Sequence, residues 1–272
     1  MKQLLIFGLG YTAQTIAARL RAAGWQIDAT GSAGNIGFDD AEAALARASH
    51  VLSSVPPGED DPVLARYGGA LGGKWLGYLS STGVYGDTGG AWVDESAPIG
   101  TGRRSARSKA DAAWLALGAR VFRLPGIYGP GRSALDRAAG GKARRIDLPD
   151  QVFSRVHAAD IASGVIAGLD APAGAYNLAD DFPCSQNAVI EEASRLLGLD
   201  PPPLQSLEQA GFSPQARAFY SENRRVANGK AKRVLGWQPA YPTYREGLRA
   251  LIATTSPISA STAPDPASSD QR

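Results

Sequence analysis

Four apolar residues, Leu4, Leu5, Ile6 and Phe7, run without a polar break into Gly8, and the chain then changes its period. So short and unbroken an apolar run is what a strand buried on both faces of a parallel sheet requires. Gly8, Gly10 and Ala13 follow as G-x-G-x-x-A, and Ile16, Ala17 and Leu20 recur at helical spacing as far as Gly24. Strand, glycine turn and helix in that order give the motif its context and point to a dinucleotide site. Gly8 permits the tight turn, Gly10 lets a pyrophosphate approach the backbone, and the small Ala13 lets the helix pack on the strand. The helix amino terminus adds free N–H groups and a partial positive charge. Gly8, Leu9, Gly10, Tyr11, Thr12 and Ala13 are therefore the first candidate cofactor contacts. An isolated glycine turn would carry no such reading.

The same alternation continues down the chain. Strand patterns fall at 25–30, 50–55, 75–80 and 120–124, with helical patterns near 40–48, 61–71 and 105–117 between them. This rhythm predicts an α/β fold, a Rossmann-type doubly wound parallel sheet with right-handed crossovers. In such sheets ligands lie beyond the carboxyl ends of the strands, which adds Ser54, Val55 and Pro125 to the cofactor contacts. The second strand ends near Gly31 and Ser32, with Asp28 set back inside it. An acidic residue at that tip binds the ribose of NAD. Its displacement leaves room for a 2′-phosphate beside Ser32 and favours NADP over NAD.

Beyond Leu124 the rhythm loosens into a glycine-rich basic section, a strand near 152–156, a helix at 158–169, a strand at 175–178 and a helix at 187–197. Shorter helical patterns follow at 229–235 and 244–253. The division expected is a dinucleotide-binding domain of residues 1–125 with 151–178, and a small C-terminal α/β substrate lobe of 126–150 with 179–253. His157 and Asp160 stand at a helix start, where hydrogen bonding to the helix amino terminus is their expected role. Residues 254–272 are Ser, Thr, Ala, Pro and Asp with almost no apolar bulk, the composition of a disordered tail.

Composition narrows the function. A net charge of +2 argues against nucleic acid or an anionic membrane as partner. One cysteine, Cys184, and two histidines exclude an internal disulfide and leave no basis for a metal centre. No apolar run approaches a membrane span or a signal peptide, so the expected location is the cytoplasm.

Several later blocks stand in register: SSTGVYGD from Ser80, VDESAP from Val93, SARSK from Ser105, RLPGIYGPGR from Arg123, RVHAADIA from Arg155, YNLADDFP from Tyr176 and VLGWQPAYPTYREGL from Val234. Together with the glycine turn they resemble the extended short-chain dehydrogenases/reductases, the nucleotide-sugar epimerases and dehydratases, over residues 1 to 253. The likeness is to atypical NAD(P)-dependent epimerases with degenerate active sites. It implies a nucleotide sugar or related polyol as substrate, an oxidoreductase or epimerase reaction, and a homodimer formed through the helix that carries Lys109.

The family works with a serine or threonine, a tyrosine and a lysine, and the resemblance puts Ser81 at the serine, Lys109 at the lysine and Ser105 at the tyrosine. Ser81 would hydrogen-bond the reacting oxygen, and Lys109 would hold the nicotinamide ribose. Tyrosine starts near pKa 10 and can be drawn toward neutrality by neighbouring cations. An aliphatic hydroxyl starts far higher, so Ser105 is a poor base. Tyr85, Tyr128, Asp87 and Asp94 are the candidate substitutes, with Tyr85 foremost. Thr82, Tyr128 and Arg225 are the expected substrate contacts, Arg224 and Arg225 together suiting a diphosphate. With Thr82 and Gly83 where a dehydratase carries acids, dehydration is disfavoured. The alternative is a catalytically silent NADP-binding sensor, which the missing tyrosine would suit.

Overall fold

The computed structural model describes residues 2–102 and 105–255. Its central sheet has strands β1 (Gln3–Phe7), β2 (Gln26–Ala29), β3 (His50–Ser53), β4 (Trp75–Ser81), β5 (Arg120–Leu124) and β6 (Gly174–Asn177). They lie in the order β2-β1-β3-β4-β5-β6, all parallel. Ile6 pairs with Ala29 on one side and Leu52 on the other. The chain leaves β1 for β2 and returns across it to β3, so the topological switch point is the crevice at the carboxyl ends of β1 and β3.

Period-two alternation along β1 divides the core between the two faces of the sheet. Leu4 and Ile6 join Ile16, Leu20, Ile161 and Val165 in a cluster under helices α1 (Tyr11–Ala22) and α3 (Ala158–Ala167). Leu5 and Phe7 join Val51, Tyr78, Trp114 and Val121 under helix α2 (Ser105–Ala116) and its neighbours. Each such side chain, fully buried, contributes about 1.5–3 kcal/mol before the entropy of ordering is set against it.

A third cluster builds the smaller lobe. Tyr128, Leu135, Val189, Tyr244, Leu248 and Leu251 pack between helices α4 (Gln186–Leu197), α5 (Tyr244–Thr255) and the short helix Ala134–Ala139. Ser185 caps the start of α4 and Gly198 ends it in the left-handed conformation. Two minor parallel pairs, Gly126–Tyr128 with Arg155–His157 and Trp92–Val93 with Arg225–Val226, tie the loops beyond β4 and β5 to this lobe.

Three expectations are corrected. The strand expected at 152–156 is Arg155–His157, paired outside the central sheet, and Phe153 makes only a bridge to Cys184. The segment 229–237 packs Ala231 and Trp237 against the sheet's own core, not the lobe, because both side chains fit the apolar face beneath α3. Thr254 and Thr255 complete α5, while 256–272 of the expected tail lie outside the described residues. His157 acts as expected, capping α3 through the Ala159 N–H, whereas the Asp160 carboxylate accepts from the N–H groups of Ala240 and Tyr241 and so ties the segment after Trp237 to α3, not the helix amino terminus to itself. Among the described residues no helix is long and apolar enough to cross a membrane.

Candidate functional site

Gly8 has φ +84°, and a Cβ there would lie 3.1 Å from Ser54 Oγ and Val55 Cγ2. Its N–H donates to Thr30 Oγ1 at 3.1 Å, and Leu9 N–H donates to Thr30 O at 2.7 Å, so the turn is tied to the tip of β2. Packing alone accounts for Gly8. Gly10 differs: its φ is −82°, and a Cβ on it would meet nothing within 4 Å. It precedes α1, whose amino terminus has no side-chain cap. The protein leaves this end of the helix open, as a site for an anion on backbone N–H groups would be.

Two cavities meet over that turn, sharing Gly10 and Ser54. One, of about 350 Å³, is lined by Gly8, Leu9, Thr30, Ser32 and Val55 among others. The second, of about 390 Å³, runs from Tyr11, Thr12 and Ala13 to Ser81, Thr82 and Pro125. The cofactor contacts expected from sequence are thus brought together, with Lys109 the exception. Asp28 is turned away, accepting from Asn35 Nδ2 at 3.0 Å and from Arg47 Nη2 at 3.1 Å.

Ser81 ends β4, and its Oγ accepts the Gly83 N–H at 3.1 Å, starting the turn Thr82–Tyr85. Below it lies a closed polar network. Ser80 Oγ donates to Asp111 Oδ2 at 2.6 Å, and Arg123 grips both oxygens of Asp111 at 2.8 and 3.1 Å. Arg123 Nη1 also donates to the Tyr85 hydroxyl at 2.9 Å, which donates to Asn177 Oδ1 at 2.8 Å. Tyr85 is therefore a core residue outside the cavity, and burial pushes its pKa up to about 12. That corrects its expected role as substitute base.

Lys109 and Ser105 are corrected as well. Both are exposed and line neither cavity. Residues 107 and 111, four apart, share the inner face of α2, whereas 109 is two residues and about 200° from each. The cation on the cavity side is Arg107, whose Nη1 donates to the Tyr78 hydroxyl at 2.8 Å and to Leu79 O at 3.3 Å.

The remaining candidates divide similarly. Tyr128 is buried outside the cavity, its ring 5.1 Å from that of His157 and its hydroxyl unpartnered, and burial raises its pKa strongly. Arg225 donates to Gly90 O and lies outside the cavity, whereas Arg224 lines it, bound to Gly86 O at 2.6 Å and Glu222 at 3.0 Å. Asp87 and Asp94 each hold turn N–H groups, their carboxyls kept below the usual range by hydrogen bonds, from Asn223 N–H and from Ser96 respectively. Neither lines either cavity. Arg107, Arg132, Phe153, Phe219 and Glu222 line the cavity and were not anticipated from sequence. Helical phase along α2 could have found Arg107, and Arg132 closes the block RLPGIYGPGR; no motif marks the others.

No family model matches the chain. A reductase from a Streptomyces species, named for denitrifying 3-diazoavenalumate, is 30% identical over 143 residues, which are 47% of this chain and 45% of that protein. The chain thus matches less than half the length of that relative. Human epimerase family protein SDR39U1, solved with NADPH, superposes with a TM-score of 0.72 at 17% identity, covering 92% of this chain and 99% of that one. A conserved protein of unknown function from Silicibacter pomeroyi superposes with a TM-score of 0.87 at 40% identity, covering 93% of this chain and 99% of its own. The chain belongs to one family with the Silicibacter protein, built on the fold of the extended short-chain dehydrogenases/reductases.

Proposed function

We propose that this protein binds NADP(H) across the two joined cavities and uses it to reduce or epimerise a small molecule at the tip of β4. The observation that carries this reading is Gly10: uncapped, with open space where a side chain would stand, and a cavity on either side. NADP is favoured over NAD because no carboxylate among the described residues lines the cavity beside Ser32, and Asp28 is held by Asn35 and Arg47. Bound there, the nicotinamide would supply or accept a hydride. Ser81 Oγ would hydrogen-bond the reacting oxygen, and Arg107 would take the lysine's place beside the nicotinamide ribose. The Streptomyces relative is named a reductase, which favours reduction over epimerisation.

On this reading residues 1–125 with 151–178 carry the cofactor and 126–150 with 179–253 cover the substrate, with 229–237 reassigned to the cofactor side. A cytoplasmic location and a homodimer through α2, with Lys109 exposed on it and Leu117 exposed just after it, belong to the same reading. The silent sensor remains the second reading because Tyr85, Tyr128 and Lys109 all lie outside the cavity.

Calorimetry with NADPH and NADH tests the binding, and Gly10→Ala sharpens it. The added methyl meets no protein atom, so melting temperature is expected to hold while NADPH affinity falls tenfold or more, about 1.4 kcal/mol. No heat with either dinucleotide sinks the proposal. Nicotinamide absorbance across a panel that includes nucleotide sugars, followed in the wild type and in Ser81→Ala, then separates enzyme from sensor.

A further inference from the structure

The wall of the larger cavity away from the glycine turn is aromatic. Phe153 and Phe219 both line it and stack on each other, centroids 4.6 Å apart and planes 10° from parallel. Tyr220 meets both edge-on, at 5.7 and 5.9 Å, and Phe212 stacks on Tyr220 at 5.5 Å, so the pair is held from behind. Phe219 nevertheless remains 41% exposed. A ring pair fixed by its neighbours and open on the cavity side is a platform for a flat ligand.

Charge gives the second property. Among the described residues, Arg107, Arg132 and Arg224 line the cavity against a single carboxylate, Glu222, which Arg224 already binds. Arg132 has no carboxylate partner among the described residues; its guanidinium lies 5.7 Å over the Tyr11 ring, at the start of α1 where the diphosphate belongs. Arg107 spends one nitrogen on Tyr78 and Leu79. Arg107 lines this partly enclosed cavity, and a carboxylate that meets its guanidinium there is bound more strongly than in water.

Size gives the third. The cavity of about 390 Å³ must also admit the nicotinamide and its ribose. The arginines that could hold a second nucleotide's diphosphate are engaged by the protein: Arg225 by Gly90 O, and Arg224 by Gly86 O and Glu222. What is left suits one ring and one acid group.

We infer that the substrate is a small aromatic or conjugated carboxylate, its plane against Phe153 and Phe219 and its acid group toward Arg107, and not a nucleotide sugar. This inference rests on the NADP(H) reading above and deepens it.

The test is calorimetry on the full chain already saturated with NADP⁺. The probes are cinnamate, cinnamamide, cyclohexanecarboxylate and UDP-glucose, with Phe153→Leu and Phe219→Leu as variants. Cinnamate is expected to bind at least tenfold more tightly than its amide and than the saturated acid, with no heat from UDP-glucose. Phe219→Leu, at an exposed position, is expected to weaken cinnamate several-fold and leave NADP⁺ affinity unchanged. The inference is overturned if UDP-glucose binds and displaces cinnamate, if amide and acid bind alike, or if no acid binds the loaded protein. It is overturned too if the Phe variants lose NADP⁺ instead, which would put the rings against the nicotinamide. Absence of NADP⁺ heat at the outset removes the underlying reading, a failure distinct from NADP⁺ heat without cinnamate heat.

Discussion

Two buried polar clusters flank the cavity, each with a tyrosine and an aspartate, yet one is closed and the other is not. Under β4 and β5, Asp111, Arg123, Tyr85 and Asn177 satisfy one another, with Arg123 and Asp111 only 3% and 0% exposed. Under the smaller lobe, Tyr128, His157 and Asp180 each leave a buried polar atom without a partner: the hydroxyl, Nε2 and Oδ2. Burial costs desolvation in both places; hydrogen bonds recover it throughout the first, whereas in the second His157 and Asp180 are bonded only through Nδ1 and Oδ1. The closed cluster holds the strand end that carries Ser81 in one position. The open one is left to titrate.

The largest effect is expected in the closed cluster. Asp111→Ala strands the Arg123 guanidinium in the core and frees Ser80, and removing one partner of a buried pair costs about 3–5 kcal/mol. Chemical denaturation measures it. A loss below about 1 kcal/mol would mean that water reaches Arg123 and that the two clusters do not differ.

Next comes the pH dependence of the open cluster. Burial pushes the Asp180 carboxyl up to about 7, so between about pH 4 and 7 the folded chain holds a proton that the unfolded chain has lost, and stability falls as pH rises. Burial also pushes His157 down to about 4. Between pH 4 and 6.5 the unfolded chain therefore holds that imidazole's proton, and stability rises with pH. The two slopes oppose each other over most of one window, which flattens the wild-type profile. Asp180→Asn removes one of them. The stability of the variant relative to wild type is expected to climb from pH 4 to pH 7, by at most about 1.4 kcal/mol per unit. A difference that stays constant with pH would show that Asp180 is ionised in the fold.

These clusters also mark where the sequence could be read and where it could not. The glycine turn, the strand tips and Ser81 were legible because backbone geometry builds that half of the site, and a strand-to-helix change of period reports backbone directly. The opposite half depends on where side chains point. Lys109 misleads because SARSK matches the family block at its lysine while Arg107 occupies the inner face of the helix. Tyr85 and Tyr128 sit in promising loops, but whether a tyrosine faces solvent or Arg123 is a tertiary fact with no local signature. Phe153 and Phe219 lie 66 positions apart in the numbering and meet only in the folded chain.

Tyr85→Phe and Tyr128→Phe put the comparison most directly, because the same oxygen is deleted from the same residue type at similar burial. At Tyr85 the loss leaves Asn177 Oδ1 without its donor and Arg123 Nη1 without its acceptor, and each buried orphan costs about 1–3 kcal/mol. At Tyr128 the hydroxyl has no partner to lose. Its removal relieves an uncompensated desolvation and keeps the ring against His157 at 5.1 Å, so the variant is expected to be as stable as wild type or up to about 1 kcal/mol more stable. Paired melting curves decide the matter. If Tyr128→Phe destabilised the chain as much as Tyr85→Phe, a water would have to bridge Tyr128, His157 and Asp180, and the second cluster would be closed by solvent.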